Sequence, residues 1–207
     1  MKLQKGVFIT LYGINNIGKS TQVKLLAQKL KKDGYDVLVL KYPCYEIKPT
    51  GPMLNKFLRQ KKNQQHISEE ELQMWFTLNR YQFEPRLKQY LSRGKIVIAE
   101  DYAGTGIAWG IAKGASEKWL LDLNQYLLKE NFSLLLIGDR SFSSREKNHI
   151  HDTDASHYER DTTNPFLFQN FSNISKVRTD MIRMFNRGPQ RLIAGKHPRK
   201  GIKDGHI

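Results

Sequence analysis

Apolar and polar positions follow two alternating patterns along the 207 residues. Short, near-continuous apolar runs are separated by longer stretches with helical periodicity. Val7-Phe8-Ile9-Thr10-Leu11-Tyr12 is the first run and predicts a buried strand. Thr21 to Lys32 then carries Val23, Leu25, Leu26 and Leu30 at helical spacing, with basic residues between. Asp36 to Leu40, Lys95 to Ala99 and Phe132 to Ile137 predict three more strands. Met53 to Leu58 predicts a short helix. Ser68-Glu69-Glu70-Glu71 is a capping box that opens a helix running towards Arg93, with Pro85 as an expected kink. Glu117 to Lys129 and Pro165 to Phe185 read as further helices. Strands that are apolar throughout, alternating with helices, predict an α/β fold of three layers: a parallel sheet with helices on both faces. In such sheets ligands sit beyond the carboxyl ends of the strands. Gly13, Pro43 and Glu100-Asp101 all fall on that edge.

The loop after the first strand carries the clearest chemistry. Gly13-Ile14-Asn15-Asn16-Ile17-Gly18-Lys19-Ser20 is a complete G-x-x-x-x-G-K-[ST] phosphate-binding loop, set between a predicted strand and a predicted helix. Its glycines let backbone N–H groups converge on phosphate oxygens, and the helix N-terminus adds partial positive charge. Lys19 is expected to reach the β- and γ-phosphates and Ser20 to hold Mg²⁺, with Thr21 completing the loop. The chain is read as an ATP and Mg²⁺ binder.

Length and charge bound what surrounds that site. A chain of 207 residues is one domain of ordinary size. Residues 1–187 are expected to form it, with the long polar stretch 141–164 as a mobile lid. The formal charge of +14, from 34 basic and 20 acidic residues, suits polyanionic substrates or nucleic acid. Residues 188–207 are glycine-rich and basic and read as a flexible tail, the one part expected to contact nucleic acid. No apolar run is long enough for a membrane span, and Met1 to Gly6 leads directly into the first strand, so a cytoplasmic protein without a signal peptide is expected. The single cysteine, Cys44, excludes an internal disulfide and suits a reducing compartment.

Other residues could take part in chemistry. The run Ile96 to Asp101 ends in carboxylates, and beside a phosphate-binding loop Glu100 or Asp101 is expected near the metal. Phe76 and Arg80 lie four apart, on one helix face. They are read either as a core ring and a solvated cation, or as a base-stacking ring with a phosphate clamp. His149, His151, Asp152, Asp154 and His157 crowd the lid but have no second cluster to complete a zinc site. Cys44 is read as a packing residue.

Phe76-Thr77-Leu78-Asn79-Arg80-Tyr81 resembles the F-x-x-N-R-[YW] stretch of thymidylate kinases. Further matches follow in family order: Gly13 to Thr21, Tyr42-Pro43, Thr50-Gly51, Gly94, and Tyr102-Ala103-Gly104-Thr105-Gly106-Ile107-Ala108-Trp109. The resemblance covers residues 6–138 well and the lid and following helix loosely. It implies the nucleoside monophosphate kinase fold, Mg-ATP as donor, dTMP as acceptor and a homodimer. By this similarity Phe76 stacks on the acceptor base, Arg80 binds its phosphate, and Thr105 and Trp109 line the sugar and base pocket. Pro43, Asp101, Tyr102 and Gly106 complete the expected acceptor site.

The chain also departs from that pattern. Glu100-Asp101 stands where the family has Asp-Arg. Glu100 can serve as the metal-side carboxylate, but Asp101 puts negative charge where an arginine would hold the acceptor phosphate, to be offset by Lys41 or Lys48. Asn16 occupies the place of a loop arginine found in one branch of the family, which leaves Arg145 and Arg160 of the lid as candidate catalytic cations beside Lys19. Two other readings are weighed: a deoxynucleoside kinase, with Glu100 or Asp101 as base, and a non-catalytic nucleotide- or nucleic-acid-binding protein on the same fold.

Overall fold

A computed structural model describes residues 6–15, 17–59, 67–137 and 191–195. Five strands form one parallel sheet: β1 Val7–Tyr12, β2 Val37–Lys41, β3 Ile96–Glu100, β4 Phe132–Ile137 and β5 Arg191–Gly195, in the order β2-β3-β1-β4-β5. Five helices connect them: α1 Lys19–Lys32, α2 Thr50–Arg59, α3 Glu69–Ser92, α4 Ala103–Ala112 and α5 Glu117–Asn124.

Alternation along the strands divides the core in two. Leu11 and Ile98 face Val23 and Ala27 of α1. Phe8, Val97 and Ala99 point the other way, against Phe83 and Leu87 of α3 and Ala108 and Ala112 of α4. The central strands β1 and β3 are buried on both faces, which is why they read as unbroken apolar runs, whereas β2 at the sheet edge exposes Val39 and Lys41. The three-layer α/β arrangement is the one expected.

Four strands and α1 to α3 fall close to their predicted ranges. Ser68 Oγ accepts the Glu71 N–H at 3.1 Å, and α3 runs on through Pro85 to Ser92. Two expectations need correction. The helix over 117–129 stops at Asn124, whose side chain turns back, donating to Leu120 O at 2.8 Å and accepting from Thr77 and Arg80. Helix α4 was not anticipated, because Gly104, Gly106 and Gly110 depress helix propensity over ten residues. Those glycines are there for close approach. A Cβ at Gly104 would lie 3.1 Å from the Tyr12 ring, and one at Gly110 would lie 2.8 Å from Leu120.

Arg191 to Ala194, whose sequence hints at a strand ahead of the basic tail, lie in β5 parallel to β4, so this part of the stretch 188–207 belongs to the sheet. The expected lid (141–164), the helix over 165–185, the rest of the tail and the lid histidines lie outside the described residues.

Register brings the functional segments together. Leu11 and Lys41 both pair with Glu100, so the loops after β1, β2 and β3 leave one edge side by side. Asn79 of α3 holds the loop after β2. Fully buried, it donates to Cys44 O at 3.0 Å and Thr50 Oγ1 at 2.9 Å, and accepts from Cys44 N at 2.8 Å. Asn79→Ala is expected to cost about 1–3 kcal/mol, because it leaves the Cys44 N–H without its partner and takes one bond each from Cys44 O and Thr50 Oγ1, and urea denaturation would read the loss.

Candidate active site

The phosphate-binding loop leads into α1 with its amides unclaimed by any capping side chain. Gly18 is the N-cap, in the left-handed region at φ 101°, and no acidic residue stands in the first turn of α1. Gly13 also has positive φ, 147°, and a Cβ there would meet Leu136 O at 2.9 Å. Both positions therefore require glycine. Ile17 is buried and packs the loop down, and its N–H lies 3.4 Å from Ile14 O. Asn15 lies in the turn, and Asn16 is outside the described residues. A helix N-terminus free of side-chain caps, ringed by amides, suits a polyphosphate.

Lys19 is 5% exposed and folds back over the loop, donating to Gly13 O at 2.8 Å and Ile14 O at 3.3 Å. Its Nζ lies 3.6 Å from Asp101 Oδ1. Ser20 Oγ donates to Glu100 Oε1 at 3.0 Å, and Glu100 also pairs with Lys41 at 3.4 Å. Thr21, next on α1, is exposed. A hydroxyl and a carboxylate in contact at the loop mouth form a hard oxygen donor set that fits Mg²⁺. Among the described residues no group of three His, Cys, Asp or Glu could hold a metal without such help.

Asp101 is the unusual residue. It alone among the described non-glycine residues has positive φ, 62°, a costly conformation often found at functional sites. It accepts from Thr105 Oγ1 of α4 at 2.7 Å. Burial raises its pKa, with Lys19, Thr105 and Lys41 opposing and Glu100 adding to the rise. Lys19 at ion-pair distance and, more weakly, Lys41 oppose that rise without outweighing burial, and among the described residues no ion pair joins Lys48 to Asp101.

A carboxyl raised in the folded state favours folding below its unfolded pKa, and that contribution is lost as pH rises through the folded value. Asp101→Asn is therefore expected to melt higher than the unsubstituted protein at pH 7. The advantage should vanish below about pH 4, where both forms are neutral. Melting curves across that pH range would check it.

A second group lies where α3, α4 and α5 meet. Arg80 is 5% exposed, donating to Asn124 Oδ1 at 3.1 Å and Thr77 Oγ1 at 3.4 Å. No carboxylate pairs with it among the described residues, and burial lowers its pKa. A Cβ at Gly106 would lie 2.6 Å from an Arg80 terminal nitrogen and 2.9 Å from Gln73 Oε1, so Gly106 makes room for the guanidinium. Tyr102 is buried, its hydroxyl donating to Leu128 O at 3.2 Å. Its ring lies 5.1 Å from both Phe8 and Tyr42.

Phe76 is half-buried against Leu54, Leu58 and Leu72, and Trp109 is half-buried against the central cluster. Pro43 is half-buried at the end of β2, after a cis Tyr42-Pro43 peptide. The turn from Glu100 to Gly106 joins the two groups, running from the Ser20 contact to the Arg80 contact. Arg145 and Arg160 lie outside the described residues. Burial, then Glu46, pushes the Cys44 thiol up to about 12, which makes it unreactive at neutral pH and fits a packing role.

Sequence reasoning missed Asn124, which accepts from Arg80, and quoted Thr77 and Asn79 only as part of a motif. The available signal for Asn79 was its spacing: it falls on the buried face of α3, with Arg80 and Phe83 beside it.

A parallel sheet with a phosphate-binding loop after β1 and carboxylates at the end of the adjacent β3 defines a P-loop nucleotide-binding protein of the kinase type. The chain matches the thymidylate kinase family over residues 11–194 and belongs to that family. It is 34% identical over 140 residues to a protein of Thermococcus onnurineus described as a probable thymidylate kinase, an alignment covering 63% of this chain and 65% of that one. It is 25% identical over 173 residues to a thymidylate kinase of Plasmodium falciparum, covering 83% of this chain and 79% of that one. The chain thus spans just under two thirds of the Thermococcus relative. The thymidylate kinase structure from Candida albicans superposes with a TM-score of 0.72 at 22% identity, over 92% of this chain and 84% of that one. That likeness shows the shared fold.

Proposed function

We propose that the protein transfers the γ-phosphoryl group of ATP to a deoxynucleoside monophosphate, dTMP foremost, giving dTDP and ADP. The observation that carries this reading is Arg80, a guanidinium buried without a carboxylate partner among the described residues, in a chain that carries a complete phosphate-binding loop sequence. Such a cation calls for an oxygen-rich ligand. An acceptor that already bears phosphate supplies one.

Lys19 would leave the loop carbonyls for the donor phosphates, and the free amides of α1 would hold their oxygens. Ser20 and Glu100 would hold Mg²⁺, which spreads the negative charge of the donor phosphates. Phe76 would stack on the acceptor base, while Arg80 would bond its oxygens and Thr105, Trp109 and Pro43 would line its pocket. Transfer to an anionic phosphate oxygen needs placement and charge rather than a general base. A lid arginine, Arg145 or Arg160, would add charge to the moving group. Homodimerisation and a cytoplasmic location belong to the same proposal; no described helix is long and apolar enough to cross a membrane.

One observation favours a second reading, with a nucleoside as acceptor. Asp101 is a carboxylate of raised pKa beside Lys19, as a base for a hydroxyl would be. A panel of deoxynucleoside monophosphates and their nucleosides with Mg-ATP separates the two. Turnover of monophosphates alone supports the first reading, and turnover of nucleosides alone replaces it with the second.

A further inference from the structure

Two buried side-chain atoms have no hydrogen-bond partner among the described residues: Tyr42 Oη and Arg80 Nε. Each belongs to a residue that is only 5% exposed. Native proteins pair nearly all such groups, so two in one place need an explanation.

They are in one place because three constraints put them there. The backbone N–H of Tyr42 donates to Glu100 O at 3.1 Å, which fixes the residue at the end of β2. Its ring packs edge-on against Phe83 at 6.0 Å and tilted against Tyr102 at 5.1 Å. Phe83 is the residue one helical turn beyond Arg80 on α3. Two residues after Tyr42, both backbone groups of Cys44 are held by Asn79, the neighbour of Arg80. Phenol and guanidinium therefore lie over the same stretch of α3. Each also feels the other electrostatically, since Arg80 holds the Tyr42 pKa down against burial. The two would bond each other if their geometry allowed it. Because they do not, both are left able to donate to a third atom.

We infer that Tyr42 is a specificity-determining residue, whose hydroxyl joins Arg80 Nε in donating to one oxygen of the acceptor nucleotide. This rests on the proposed function. The oxygen is either a phosphate oxygen or a carbonyl on the edge of the base; both are acceptors of the same chemistry. The rings of Phe83 and Tyr102 shield the hydroxyl from water, with the buried Glu84 carboxylate as a further charge acting on it, and such shielding strengthens a bond that is made and penalises a donor put in the oxygen's place.

Tyr42→Phe, which removes one oxygen and keeps the ring, tests this. A hydroxyl with no partner among the described residues adds no bond there, so the variant should melt no lower than the unsubstituted protein. Its affinity for dTMP, measured by calorimetry without ATP, should fall by roughly three- to thirtyfold, with ATP affinity unchanged. Equal losses for dTMP and dCMP would identify the oxygen as phosphate or as the C2 carbonyl that both bases carry. A loss for dTMP that dCMP does not share would identify the C4 carbonyl of the base, which dCMP replaces with an amino group.

Unchanged dTMP affinity in Tyr42→Phe would overturn the inference, as would a lowered melting temperature without a change in affinity. Calorimetry keeps this separate from the function itself. A protein that binds dTMP through Tyr42 yet never forms dTDP would defeat the proposed function and leave the inference standing.

Discussion

Lys19→Ala is expected to lower turnover about a thousandfold while the protein stays folded. Lys19 is the one cation within ion-pair distance of Asp101 among the described residues, and it also bridges the carbonyls of Gly13 and Ile14. In the free protein it closes the loop on itself. With donor phosphates bound, the same ammonium would meet the charge that builds up during transfer, where a preorganised cation in a dry site counts most. Removing it leaves Asp101 with Thr105 and Lys41 as its favourable neighbours, so the carboxyl should simply take up a proton at higher pH. Turnover and thermal melting measured on the same preparation would separate these effects. A large loss of turnover with a small change in melting is the expected pattern, and a collapse of both would make Lys19 a structural residue.

Arg80→Leu is expected to move activity and stability in opposite directions. In the proposed function the guanidinium would contribute charge-assisted bonds to the acceptor, so kcat/KM for dTMP should fall roughly a hundredfold or more. In the free protein the same group is buried, with one nitrogen unpartnered and no carboxylate alongside among the described residues. Replacing such a charge with an apolar side chain of similar reach is commonly neutral or stabilising. The variant should therefore melt at the same temperature or higher, and its KM for ATP should hold. A drop in melting temperature, with dTMP kinetics unchanged, would show that Asn124 and Thr77 are the only partners Arg80 serves.

What the sequence revealed follows from which interactions are local. Strands buried on both faces announce themselves as apolar runs, and the phosphate-binding loop announces itself by glycines whose backbone angles no other residue accepts. Ser68 could be read as a cap because its partner, Glu71, is three residues away. Contacts across long stretches of chain left less trace. Helix α4 was hidden because its glycines answer to Tyr12, Arg80 and Leu120 rather than to helix propensity. The early end of α5 depends on Asn124 turning towards Thr77 and Arg80, more than forty residues back in the chain.

The candidate site shows the same division. Lys19, Ser20 and Glu100 were legible as motif members, and the register of β1, β2 and β3 brings them together. Asp101 stood out as a departure, and Lys19 at 3.6 Å and, more weakly, Lys41 on the neighbouring strand partly offset its burial. Lys41 was one of two lysines considered, and only the register could choose between them. Tyr42 gave no sign beyond its place before Pro43. Its unpartnered hydroxyl becomes visible only when β2 and α3 are seen together.

The most direct test of the central claim is phosphorus NMR of one mixture: the protein, Mg-ATP and dTMP. The account predicts that the dTMP resonance is replaced by the paired resonances of dTDP as ADP forms, and that thymidine in place of dTMP gives no new phosphate signal. Unchanged dTMP, alongside thymidine converted to its monophosphate, would contradict the account and make Asp101 the base of a nucleoside kinase.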